Sequence, residues 1–138
     1  MATGYQWSAY AFLTYSTGTD IDAIDVNDEA TLTSDEVDLD GKAACEIAVE
    51  WVEGNDGACD GDVYVHVCRE DGDGDYQTID DDPSLGAVID AEQNTTRYKM
   101  FAVDPGEMGT FKILVDNDSG QDGDLSIWIR TATFDDGT

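Results

Sequence analysis

Hydrophobic and polar positions alternate strictly along residues 43–53, where Cys45, Ile47, Val49 and Trp51 share one parity and Glu46, Ala48 and Glu50 the other. A period of two places these sets on opposite faces of a strand, apolar inward and acidic outward. The next run alternates Val63, Val65 and Val67 against Tyr64, His66 and Cys68. Joined by the Gly- and Asp-rich segment 54–61, the two runs predict a central β-hairpin. Matching their apolar faces sets Ile47 opposite Val67, Val49 opposite Val65 and Trp51 opposite Val63. In that register Cys45 faces Arg69 and Cys68 points to the other side of the sheet, so a bridge between them is not expected. With Cys59 the chain has three cysteines, an odd number, and all three are expected as free thiols.

The same alternation marks further strands. Val37 and Leu39 alternate with Asp38 and Asp40 ahead of an Asp40-Gly41 turn, and residues 30–33 form a short strand. Residues 76–79 predict another, stopped by the acidic Pro83 segment. Residues 95–103 read as a strand ended by Asp104-Pro105-Gly106. Phe111, Ile113 and Val115 face inward in the next, and Leu125, Ile127 and Ile129 in the last, with Trp128 and Arg130 opposite. Residues 18–29, with isolated Ile21, Ile24 and Val26, read as a loop. Residues 84–94 suit either a short helix or an irregular crossover. Residues 1–20 are aromatic on both parities and form either an ordinary first strand or an arm that docks on a neighbouring subunit, ahead of one domain over 21–138. The expected fold is all-β, an antiparallel β-sandwich of jelly-roll type with about eight or nine strands and little helix.

Charge changes this picture most. Thirty-two acidic against six basic residues leave a net charge of −26 on 138 residues. Such a chain repels phosphate backbones, which excludes direct nucleic-acid binding. The charge suits solubility, salty surroundings, or the surface of a large particle that must not aggregate. No apolar run approaches the roughly 18 residues of a membrane span, and the first residues lack the basic start of a signal peptide.

Candidate chemistry is sparse. Asp71, Asp73 and Asp75 alternate like the start of a calcium loop, but Tyr76 and Asp82 stand where the EF-hand pattern needs Gly and Glu. Turn chemistry alone also produces Asp/Gly runs, so no cofactor is expected. His66 is the only histidine, which leaves no zinc constellation and no histidine-supported triad unless a cysteine pairs with it. No nucleophile elbow or phosphate loop is present, and no enzymatic activity is expected. Tyr5, Trp7, Tyr10, Phe12 and Trp128 remain as candidate partner contacts, since aromatic side chains serve as interface anchors.

Several segments together resemble the small jelly-roll decoration, or cement, proteins of tailed bacteriophages. They are the aromatic opening YQWSAYAFLTYSTGTDIDAI, the strand-turn-strand VDLDGKAACEIAVEW and the hairpin-like GDVYVHVCREDGDGDY. TTRYKMFAV, DPGEMGTFKILVDNDSG and LSIWIRTATF continue the pattern. The resemblance implies a non-enzymatic virion protein, made in the host cytoplasm, that binds the major capsid protein on the outer shell as a dimer or trimer. Its N-terminal aromatics would anchor it. The alternative from the residues themselves is a carbohydrate- or calcium-dependent binding module; the resemblance also admits a tail or fibre component.

Overall fold

Alternating runs become strands because a sheet is the conformation that sends every second side chain to one face. The computed structural model describes residues 4–54, 57–70, 76–77, 86–106 and 109–135, and all its regular elements are strands. The N-terminal third supplies short segments: β1 (Gly4–Trp7), β2 (Ala11–Phe12), β3 (Thr14–Tyr15), β4 (Thr19–Asp20), β5 (Ile24–Val26), β6 (Thr31–Thr33) and β7 (Val37–Asp38). Long strands follow: β8 (Ala44–Glu53) and β9 (Val63–Glu70), then the short β10 (Tyr76–Gln77) and β11 (Gly86–Ile89). β12 (Thr96–Val103), β13 (Thr110–Asn117) and β14 (Gly123–Asp135) complete the chain.

Twelve of these segments fill eight strand positions in two sheets, and β3 and β4 pair as a separate two-stranded sheet. In the first, β14 lies between β8 and a broken edge made successively of β5, β2 and β1, while β12 flanks β8 on the far side. In the second, β9 and β13 are central, with β10 and β11 along β9 and β6 and β7 along β13. Every pairing is antiparallel. Numbered along the chain, the positions run 1-8-3-6 in one sheet and 5-4-7-2 in the other, which is a jelly roll. The expected sandwich is therefore present.

The expected central hairpin is not. β8 and β9 belong to different sheets and face each other across the core, so Ile47 pairs with Phe101 and Ile129, whereas Val67 pairs with Ile113. The connection between Glu53 and Val63 joins one sheet to the other. Sheets pack about 10 Å apart, a distance its nine residues span easily. Cys45 and Cys68 are consequently in separate sheets, and all three cysteines are free. Burial pushes the Cys45 and Cys59 thiols up to about 11, so both are protonated near neutral pH.

Two other expectations are corrected. Segment 18–29 is not an unstructured loop: it holds β4 and β5, and Ile21 is wholly buried. Its polar spacing hides apolar residues that join the core: Ile21 and Val26 are buried in it, and Ile24 packs against it. Residues 86–89 form β11, neither helix nor irregular crossover, and pair with β9 from Gly86↔His66 to Ile89↔Val63. The Leu/Val/Ile spacing there fitted a helical turn, but a free edge of β9 was available to pair. The expected eight or nine strands correspond to the eight positions, built among the described residues from twelve of the fourteen segments because three edge positions are broken into pieces.

The core is the sum of the inward parities. Ile47, Val49 and Trp51 from β8 and Leu125 and Ile127 from β14 meet Val63, Val65, Phe111, Ile113 and Val115, all fully buried. Each such side chain contributes roughly 1.5–3 kcal/mol relative to exposure. At one end a buried polar network fastens the β13–β14 turn. Glu53 Oε1 accepts from Trp51 Nε1 at 3.3 Å and from Ser119 Oγ at 3.1 Å, and Asn117 Nδ2 donates to the carbonyls of Val26 and Gln121.

Candidate functional site

An outer sheet face normally alternates to polar residues, and the β1–β14–β8–β12 sheet breaks that rule. Directly paired residues share a face, so the register sets Phe12, Trp128, Ala48 and Met100 in one row across four strands. Arg130, Glu46 and Ala102 form the next row, and Trp7, Ala132 and Ala44 the one after. Tyr5 and Phe134 extend the face where β14 outruns β8 and pairs with β1 alone. Ser126, Glu50 and Tyr98 border it on the other side.

A charge clamp holds its centre. Arg130 donates from Nε and from a terminal nitrogen to Glu46 Oε2 at 3.2 and 2.9 Å, and the Tyr10 hydroxyl donates to the same oxygen at 3.0 Å. The Arg130 guanidinium lies 4.3 Å from the Trp7 ring centre and 4.8 Å from that of Tyr10. Each such cation–π contact contributes about 0.5–2 kcal/mol. Burial first, and the Glu46 hydrogen bond next, hold the Tyr10 phenol above its usual range, so it stays a donor. Phe12 stacks on Trp128 at 5.3 Å, and Tyr5 meets both Trp7 and Phe134 edge-on.

The five aromatic residues singled out from the sequence, Tyr5, Trp7, Tyr10, Phe12 and Trp128, thus come together on one face. The structure adds Tyr98, Met100, Phe134, Arg130 and Glu46. Their signal was present as large apolar residues on the outward parity of two strands, but it meant nothing until the strands were placed side by side. Trp128 itself is half-buried under Phe12. Five of the six exposed large hydrophobic side chains among the described residues (Tyr5, Tyr10, Tyr98, Met100 and Phe134) belong to this face or its border.

Among the described residues no cluster of His, Cys, Asp and Glu could hold a metal ion, and Asp71, Asp73 and Asp75 lie outside them. His66 is buried on the outer side of the β9–β13 sheet, its ring stacked 6.3 Å from that of Tyr64.

No family model and no curated protein matches the sequence. Among solved structures, the chain is similar to the CBM36-1 domain of a multidomain xylanase from the hindgut metagenome of Trinervitermes trinervoides. That match has 12% identity and a TM-score of 0.41, covering 95% of this chain and 89% of that one. The chain is also similar to the C-terminal CBM6 of LamC, a marine laminarinase from Zobellia galactanivorans. Here identity is 12% and the TM-score 0.39, with coverage of 93% and 91%.

Proposed function

We propose that the protein is a non-catalytic docking module that attaches to a protein surface through the outer face of the β1–β14–β8–β12 sheet. One observation carries this: in a chain of net charge −26, five of the six exposed large apolar side chains among the described residues lie on that face or its border, around an arginine paired with Glu46. Tyr, Trp, Phe, Met and Arg are the residues enriched at the centre of protein interfaces. The clamp pre-orders Trp7 and Tyr10, which lowers the entropy cost of binding. The acidic surroundings favour a partner of positive potential. A decoration role on an assembled capsid, as the sequence resemblance implies, fits these requirements; it would stabilise the shell by binding the assembled form preferentially.

A second reading has its own observation. Exposed Tyr98 with Glu50 beside it, and Tyr10 with Glu46 and Arg130, set hydroxyl-bonding groups beside ring faces, as a glycan requires. Those side chains carry the alternative; a likeness at TM-score 0.41 does not.

Cosedimentation with capsids depleted of the protein, run beside a glycan array, separates the two. Trp7→Ala combined with Phe134→Ala should cut capsid binding at least tenfold, while the melting transition stays cooperative. Point variants are needed because Leu13 is in the core, so a truncation through it would disturb folding. Saturable glycan binding lost in Tyr98→Ala, with no capsid binding, would overturn the docking proposal.

A further inference from the structure

The β12 edge combines an open hydrogen-bonding ladder with a charge pattern unlike the rest of the chain. β12 pairs with β8 without a bulge from Thr96↔Val52 to Val103↔Cys45, and among the described residues no strand pairs its other side. Natural edges are protected by proline, bulges, brevity or charge. This one is eight residues long and contains no proline. Arg97 is turned back onto the β11–β12 connection, donating to the Asp90 carbonyl at 3.1 Å and pairing with Glu92 at 3.0 Å. Lys99 is the other basic side chain of the strand. Tyr98 and Met100 beside it are 67% and 62% exposed.

We propose that this edge pairs with β12 of a second copy, so that two sheets continue as one across a two-fold axis. Charge selects the occupant: segment 95–103 has two of the six basic residues and none of the 32 acids, so two copies meet there without opposing carboxylates. Geometry selects the register. In a continuous antiparallel sheet, facing residues must share a face, so the axis passes through a residue position. An axis at Tyr98 opposes Arg97 to Lys99, and one at Lys99 opposes that lysine to itself; both are destabilising. An axis at Phe101 opposes no like charges but pairs only residues 99–103 of the strand. One at Met100 pairs residues 97–103, setting Met100 against Met100, Tyr98 against Ala102, Lys99 against Phe101 and Arg97 against Val103 of the second copy, again with no like charges opposed. The main-chain ladder supplies affinity, as in other strand additions, and the two aromatic faces become one.

This pairing is independent of what the aromatic face binds, and salt tells the two apart. Two chains of −26 repel, so screening should tighten the dimer, whereas docking on a basic partner should weaken with salt. Sedimentation equilibrium of the full chain should give twice 14.9 kDa, with a lower dissociation constant at about 0.5 M than at about 0.02 M NaCl. Met100→Lys should sediment as monomer with an unchanged circular dichroism spectrum. In a Cys59→Ser background, Met100→Cys should form a covalent dimer on mild oxidation, and Tyr98→Cys should not, because only the position on the axis meets its own copy. A mass of 14.9 kDa at every concentration and salt, or a dimer that survives Met100→Lys, would overturn the proposal.

Discussion

Asp35 shows how much a single residue organises. Ser16, Thr17 and Gly18 all have positive φ, at 48°, 60° and 100°, a conformation unfavourable for the β-branched threonine. Their amides form a small anion-binding concavity, and the Asp35 carboxylate fills it, accepting from Thr17 N at 2.9 Å and Gly18 N at 2.8 Å. Thr14 Oγ1 donates to it at 2.8 Å. These bonds, that of Thr14 foremost, hold its carboxyl below the ordinary 3.8. A depressed pKa means the contribution to stability is present above the unfolded value and is lost as pH falls through the folded one. The Thr17 and Gly18 amide resonances should therefore titrate together below pH 3.8, and Asp35→Ala should abolish that titration. A midpoint at or above 3.8 would contradict the assignment. None of this was legible in the sequence, where Asp35 is one acid among thirty-two and its partners lie up to 21 residues away.

At the scale of elements, close approach decides where strands begin. β14 starts at Gly123 because a β-carbon there would collide with the buried Trp51 ring, and Gly86 opens β11 at φ +138° against the Val65 carbonyl. Gly123→Ala should destabilise the protein by about 1–3 kcal/mol, read from urea unfolding, because the Trp51 indole has no room to retreat. An effect within about 0.5 kcal/mol, typical of a neutral surface change, would show that it does. The long strands β8, β9, β12, β13 and β14 were readable because alternation is a local property. β4, β5 and β11 were not, since two to four residues carry too little pattern and form only where a neighbouring edge is free. The β8–β9 hairpin failed for a related reason: alternation says which face of a strand is buried but not which sheet the next strand joins.

For the whole molecule, charge sets the environment in which the fold is stable. Thirty-two acidic side chains stand against six basic ones, and their mutual repulsion is greatest in the compact state. Raising NaCl from about 0.02 to about 0.5 M should raise the melting temperature, measured on Met100→Lys so that association does not contribute. An unchanged or lower value would mean that the folded state already balances its charge. Residues 4–7 and 11–12 are built into the sheet edge along β14, and their rings lie on its outer face.

The sequence by itself determined the all-β class, the inward parity of each long strand, the core that follows from it and the negative surface. These depend on composition and on neighbours two residues apart. Tertiary structure alone decided that β8 and β9 face each other from opposite sheets. It also decided that Ile21 is core, and that aromatic residues more than a hundred positions apart share one face with Arg130 at its centre. Those outcomes depend on which strand edges meet after the loops have crossed the sandwich, a contest among non-local pairings that no short-range pattern encodes.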